Sequence, residues 1–211
     1  MAKLPNPPSD LARIPPIIRK LPAGTELWRV YKRGGRHPVL WNSFRAYGPL
    51  RTARFDHHLP DANGAPCSQD RGILYAAVEI VTCLAEFFQD TRTISREAEE
   101  PWLAGFQLRL DVTLLDLTGT WPTQAGASMA INSGPRSRCR LWSQAVYEAY
   151  PPQIQGFFYA SSMHANRPSL AFYERAHPAL ASAPIFNRPL SDPALLGDLD
   201  RSAQVLGYRL I

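Results

Sequence analysis

From Phe106 to Val112, apolar and polar residues take strict turns: Phe106, Leu108, Leu110 and Val112 alternate with Gln107, Arg109 and Asp111. Side chains along a strand point to opposite faces with a period of two, so this run predicts a strand with one buried and one polar face. Shorter strands are predicted over 26–31, 73–77, 156–161 and 170–173, and 207–211 reads as a terminal one. Residues 78–89 carry Ile80, Val81, Leu84, Phe87 and Phe88 as one apolar stripe at helical spacing. A second helix is predicted over 141–150, stopped by Pro151-Pro152. Strands and helices mixed without strict βαβ alternation predict an α+β fold, a single domain with a mixed, mostly antiparallel sheet.

The breaks fall between these elements. Pro5, Pro7, Pro8, Pro15, Pro16 and Pro22 exclude regular helix and central strand from the first residues. Residues 1–23 are therefore read as a Pro-rich arm lying on the domain or on a partner, and residues 24–211 as the domain itself. Residues 56–71 read as a long loop with a turn at Asn63-Gly64, and Glu99, Glu100 and Pro101 break the chain again. With 211 residues, 45% of them apolar, the chain can bury a real core. No stretch approaches the roughly 20 apolar residues that span a bilayer. Prolines stand where a signal peptide needs its apolar segment. Cys67, Cys83 and Cys139 form neither a disulfide framework nor a metal pair. A reduced, cytoplasmic setting is expected. The net charge of +5 favours anionic partners. Its densest patches, 32–36 and 136–140, read as solvated loops, or alternatively as a nucleic-acid surface.

Several side chains could carry chemistry. Arg29 lies in the strand at 26–31; with Trp28 and Val30 facing the core it points to the opposite face, where a guanidinium fork suits phosphate or carboxylate. Glu86 lies off the apolar stripe of its helix and shares a face with Glu79, so periodicity alone makes it a solvated carboxylate. Tyr75 ends a short strand, Ser161 ends another with Ser162 beside it, and no Gly-x-Ser-x-Gly elbow surrounds either serine. His57-His58 would point to opposite faces of a strand and has no third ligand at metal-site spacing. Neither a P-loop nor a Rossmann glycine fingerprint occurs, so dehydrogenase chemistry is not expected.

Taken in order, Leu27-Trp28-Arg29-Val30-Tyr31, Arg54-Phe55-Asp56, Gly72-Ile73-Leu74-Tyr75 with Thr82-Cys83-Leu84-Ala85-Glu86, and Tyr159-Ala160-Ser161-Ser162 resemble the RES-domain family. Ala53 stands where the family commonly has Gly, Asp56 where Asn is common, Cys83 for Ala and Ala160 for Pro. The resemblance covers roughly residues 24–180. It implies a fold similar to ADP-ribosyltransferases and a toxin that destroys NAD by hydrolysis or phosphorolysis of its nicotinamide–ribose bond. It implies Glu86, Arg29, Tyr75 and Ser161 as catalytic residues. Arg54, with Arg51 as rival, Asn166 and Ser162 would contact substrate, and His164 is a weaker candidate. NAD is then substrate rather than cofactor, with inorganic phosphate as an alternative co-substrate, and no metal is expected. The implied partner is an antitoxin with a DNA-binding helical domain, in a hetero-oligomer or beside a homodimer, with neither membrane nor direct nucleic acid. Two other readings stay open: ADP-ribosyl transfer to a protein, and a non-catalytic nucleic-acid-binding domain using exposed aromatics such as Trp41, Phe44 and Tyr47.

Overall fold

The structure, a computed structural model, describes residues 4–211. In chain order it has β1 (Ile18–Leu21), β2 (Glu26–Lys32), β3 (Arg45–Gly48), β4 (Cys67–Ala77), α1 (Ile80–Phe87), β5 (Thr93–Ile94), β6 (Pro101–Gln107), β7 (Val112–Asp116), α2 (Trp121–Gln124), α3 (Arg136–Ala149), β8 (Gly156–Ala160), β9 (Pro168–Tyr173), β10 (Phe186–Pro189), α4 (Leu196–Leu206) and β11 (Arg209–Leu210). Among the described residues, nine strands form one sheet in the order β1-β7-β8-β9-β4-β2-β6-β10, with β3 paired to β4 beside that path. β7 and β8 run parallel; its other neighbours are antiparallel. β5 and β11 form a separate parallel pair. This is an α+β fold with a mixed, mostly antiparallel sheet.

The central strands are buried on both faces. Ile73, Ala171 and Tyr173 pack into one core cluster with Trp142 and Val146 of α3. Their strand neighbours Leu74, Leu170 and Phe172 pack into another with Leu27, Tyr31 and Phe106. Two-sided burial explains why 73–77 and 170–173 read as apolar runs rather than alternating ones. A third cluster joins Val30 and Ala77 to Cys83 and Leu84 of α1 and to Leu199 and Ala203 of α4.

The alternating run at 106–112 is not one strand. β6 ends at Gln107 and β7 begins at Val112. Leu108 forms an isolated bridge to Leu180, while Arg109 donates its N–H to the Ala179 carbonyl at 2.8 Å. Phe106, Leu108 and Val112 are buried, but Leu110 is 51% exposed, so the period breaks at the connection. Pro101, expected in a break, opens β6, a position where a missing N–H is tolerated. The loop expected over 56–71 ends earlier, because β4 starts at Cys67; its polar first half pairs with β3. The turn at Asn63-Gly64 is present, with Gly64 at φ +78° and its N–H on the Asp61 carbonyl. In α1 the most buried residues are Thr82, Cys83, Leu84 and Ala85, whereas Ile80 and Val81 of the expected stripe are half-buried.

The N-terminal arm is built into the domain. β1 pairs with β7, and Leu4 and Leu11 are buried in the α3 cluster. Trp142 donates its indole N–H to the Pro5 carbonyl at 2.8 Å. The patch at 136–140, expected as a loop, is the start of α3. Arg140 donates to the carbonyls of Leu50, Arg51 and Ala53, Arg138 to Asn6 Oδ1, and Cys139 is buried. Of the aromatics in the nucleic-acid reading, Trp41 is 7% exposed and packs on Phe106 and Phe44 is half-buried, whereas Tyr47 is 49% exposed and keeps an open face.

At Gly156 the sheet admits no side chain. Its φ is +145°, and an added Cβ would lie 2.1 Å from the Ala171 carbonyl oxygen and 2.9 Å from the Phe172 Cα. Gly156→Ala combines backbone strain with overpacking and should cost about 3 kcal/mol or more, read as a lowered denaturation midpoint. An unchanged midpoint would contradict this register of β8 on β9.

Candidate active site

A cleft opens where the sheet splits. β2 pairs with β6 along its whole length but meets β4 only at Trp28↔Ala77. Beyond that point the two strands part. The N–H of Val30, which faces the gap, is satisfied by the Cys83 Sγ at 3.0 Å. Burial pushes the Cys83 thiol up to about 12, so it serves here as an uncharged acceptor. The cleft encloses about 310 Å³. Strand β4 contributes Tyr75, α1 contributes Glu86, β8 contributes Tyr159, and the loop after β3 contributes Thr52 and Arg54.

Glu86 faces this cleft and not bulk solvent. Its off-stripe position, which periodicity assigns to water, is the position that looks into the split. Ser161, fully buried, accepts N–H bonds from Met163 at 3.1 Å and His164 at 3.2 Å. Its hydroxyl proton is left to donate, and it goes to Glu86 Oε1 at 2.5 Å. One turn earlier on the same face, Thr82 Oγ1 meets His164 Nδ1 at 2.9 Å. Thr82 and Glu86 thus grip the β8–β9 turn together, at the i, i+4 spacing that puts them on one helix face. Burial raises the Glu86 carboxyl above its ordinary value, while Ser161, Arg54, Arg136 and Tyr159 oppose that rise.

The phenols nearby stay protonated. Burial drives Tyr75 far above its usual range, and Tyr75 Oη accepts the Phe55 N–H at 3.0 Å. Tyr159 is pushed well up by burial and by the charge of Glu86. Both can therefore donate hydrogen bonds into the cleft but cannot act as bases at neutral pH.

Two of the cations that line the cleft beside them, Arg45 and Arg54, come from β3 and the loop after it. Arg54 donates to the Gly134 carbonyl at 2.7 Å. Arg45 donates to Asp56 Oδ2 at 3.0 Å and to the Tyr47 carbonyl. Asp56 is fully buried and also holds the Leu50 N–H at 2.6 Å and the ring of His58, so it fixes the loop that carries Arg54. Arg29 is not in the cleft lining. It sits behind the gap with Nη1 on the Ser43 carbonyl at 3.0 Å, close enough to Arg45 for their charges to interact. Burial lowers Arg29 to about 10, which leaves it charged at neutral pH.

The remaining expected residues separate. Arg51 is exposed and outside the lining; only its carbonyl is used, by Arg140. Ser162 is exposed, in contrast to buried Ser161. Asn166 is exposed at φ +59°, a conformation asparagine tolerates, and donates its N–H to the Ser161 carbonyl at 3.2 Å. It shapes the turn that presents Ser161. Glu79, the rival of Glu86, lies at the surface with Arg167 at 3.5 Å. His57 and His58 are both fully buried with ring centroids 5.4 Å apart, rather than on opposite faces of a strand. His57 reaches Glu174 and His58 reaches Asp56. Among the described residues no group of three or more His, Cys, Asp and Glu could hold a metal, and no helix is long and apolar enough to cross a membrane.

Arg45, Tyr159, Gln89, Asp90 and Arg136 line the cleft but escaped sequence reasoning. Tyr159 stands within the quoted serine segment, and Arg136 within a patch read only as bulk charge. Arg45 had no local signal.

A family model described as the RES domain matches residues 26–194. Among solved structures, the crystal structure of the M. tuberculosis MbcT–MbcA toxin–antitoxin complex contains a similar chain. The TM-score is 0.54 at 16% identity, covering 86% of this chain and 92% of that one. At that identity the likeness establishes a shared fold. No sequence among curated proteins matches.

Proposed function

The chain belongs to the RES-domain family, and on that footing we propose that it is the toxin of a toxin–antitoxin pair, cleaving the bond between nicotinamide and ribose in NAD. The observation that carries this reading is Glu86: a desolvated carboxylate, oriented by Ser161, facing a cleft that Arg45, Arg54 and Arg136 also line. NAD has complementary polarity. Its nicotinamide–ribose end is cationic, and its middle is a pyrophosphate.

Nicotinamide leaves as a neutral molecule, and the ribose gains oxocarbenium character as the C–N bond breaks, as in glycoside cleavage. A carboxylate preorganised beside that ribose stabilises the developing positive charge. Ser161 Oγ, held by two backbone N–H groups, fixes the carboxylate's orientation. Tyr75 and Tyr159, neutral and partly apolar, wall the nicotinamide riboside end and exclude water. Arg54 and Arg45 receive phosphate charge, and Arg29 adds positive potential from behind the gap. The acceptor is water or inorganic phosphate, which approaches the face that nicotinamide vacates.

Incubating the purified protein with NAD, with and without inorganic phosphate, tests this. The expected products are nicotinamide with ADP-ribose, or with its phosphorylated counterpart when phosphate is present. Because the working form of Glu86 is the carboxylate and burial raises its proton affinity, activity should rise with pH across an acid limb above the ordinary glutamate range. NAD that survives both conditions would sink the reading and move weight to ADP-ribosyl transfer onto a protein.

The solved complex of similar fold is titled a toxin with its antitoxin, which supports a protein partner here. That partner, an antitoxin with a DNA-binding helical domain, would suit the basic surface best if it were acidic.

A further inference from the structure

The cleft is spanned at its rim by a bridge between the turn after α1 and the start of α3. Arg136, the first residue of α3, donates from Nη2 to Gln89 Oε1 at 2.8 Å and to Asp90 Oδ1 at 3.1 Å. Gln89 in turn donates from Nε2 to the Glu86 carbonyl at 2.8 Å. Arg136, Gln89 and Asp90 all line the cleft. The bridge is solvated: the Arg136 side chain is 30% exposed and that of Asp90 60%. An ion pair of this exposure holds its partners weakly and exchanges them easily. Arg54 is tied to the same segment through the Gly134 carbonyl, two residues before Arg136.

The enclosed space, about 310 Å³, is at the small end of ligand pockets. A dinucleotide placed with its nicotinamide ribose at Glu86 cannot lie wholly inside, so its remainder must pass the rim. The group that follows that ribose is the pyrophosphate, whose paired oxygens and double charge suit a guanidinium fork that Asp90 holds through a single, solvated contact.

We propose that Arg136 is a substrate-positioning residue that gives up Asp90 for the pyrophosphate of the bound dinucleotide, Asp90 acting as an internal competitor that holds the cation in place while the cleft is empty. This rests on the NAD reading above but makes its own demand, on binding rather than on bond cleavage. Arg136 draws the pyrophosphate to the rim, and its charge also acts on Glu86. The patch at 136–140 is thereby divided in function. Arg138 and Arg140 hold the arm and the loop at 50–53, and Arg136 serves the cleft.

The test is calorimetric titration with ADP-ribose, which carries the pyrophosphate but lacks the bond to be cleaved, and with nicotinamide alone. Loss of a charge-assisted contact in Arg136→Ala should weaken ADP-ribose binding about 10-fold or more and leave nicotinamide binding unchanged. Asp90→Asn keeps Arg136 and removes its competitor, so ADP-ribose should bind more tightly than to the wild type. Unchanged ADP-ribose affinity in either variant, or no ADP-ribose binding by the wild type, overturns the proposal. The two readings fail separately. A wild type that binds ADP-ribose through Arg136 but releases no nicotinamide overturns only the catalytic one. A wild type that releases nicotinamide while Arg136→Ala binds ADP-ribose normally overturns only this one.

Discussion

Glu86→Gln is expected to lower nicotinamide release by about 10²–10³-fold or more, the loss seen when one preorganised electrostatic group is removed from a transition state. The substitution keeps the shape of the side chain and an Oε1 that can still accept the Ser161 hydroxyl. It removes only the charge that would face the oxocarbenium-like ribose. Stability should move the other way. Burial raises the folded-state proton affinity of Glu86, so the neutral form is the one the fold favours. The contribution of a raised carboxyl is complete below its unfolded value of about 4.5 and is lost as pH rises through the higher folded value. At neutral pH the wild type therefore carries a desolvated carboxylate that the variant lacks. Glu86→Gln should melt at or above the wild-type temperature at pH 7, with the difference vanishing below pH 4.5. Full activity would remove Glu86 from the mechanism. An unfolded variant would show that its role is structural.

Asp56→Ala should cost about 3–5 kcal/mol, because breaking a buried pair strands the partners it leaves behind. Asp56 is fully buried and serves Arg45, His58 and the Leu50 N–H at once. Removing it leaves a buried imidazole and a guanidinium without their acceptor, and frees the loop that carries Arg54. Burial alone would raise the Asp56 carboxyl, but His58, Arg45 and the Leu50 N–H more than reverse this and hold it below its ordinary value. A lowered carboxyl contributes stability that is present above its unfolded value of about 3.8 and lost as pH falls through the folded one. The gap between wild type and Asp56→Ala should therefore narrow in acid. Denaturant midpoints at pH 7 and below pH 3.8 check both parts. A loss under about 1 kcal/mol at neutral pH would mean that His58 and Arg45 find other partners. The family resemblance reads Asp56 as a departure from Asn. Here its charge is matched by a cation and a ring that an amide would serve less well.

Much of the fold was legible because burial is written into short windows. The apolar runs at 73–77 and 170–173 lie on central strands, and Pro151-Pro152 ends α3 where proline must. The rest depended on pairing between distant segments. The first half of β4 is polar because β3, not the core, covers it, so no local apolar signal marks it. The start of α3 was hidden behind Arg136, Arg138 and Arg140, which read as loop charge although arginine suits a helix well. α4 escaped sequence reasoning although Leu196, Leu199, Ala203 and Leu206 recur at helical spacing and its ends were readable: Asp192 accepts the Ala194 N–H near the start and Gly207 takes φ +66° at the end. For the cleft, Ser161 and Glu86 were placed by family order, and their contact is now explicit. Periodicity erred on Glu86 because it assumes that a polar helix face meets water. Here that face meets a split in the sheet, a feature that arises only when β2 leaves β4 after Trp28. Arg45 and Asp90 depend on the same long-range geometry, so no spacing in the sequence announces them.

In the proposed complex one NAD molecule lies with its N-glycosidic bond at Glu86 and its pyrophosphate at the guanidiniums. A crystal structure of Glu86→Gln soaked with NAD tests it most directly, because the substitution slows cleavage while preserving the cleft. Intact NAD is expected, with the nicotinamide-bearing ribose within hydrogen-bond reach of residue 86, Tyr75 and Tyr159 around that end, and the pyrophosphate against Arg136 and Arg54. NAD bound outside the cleft, or with its adenosine end at residue 86, would contradict it.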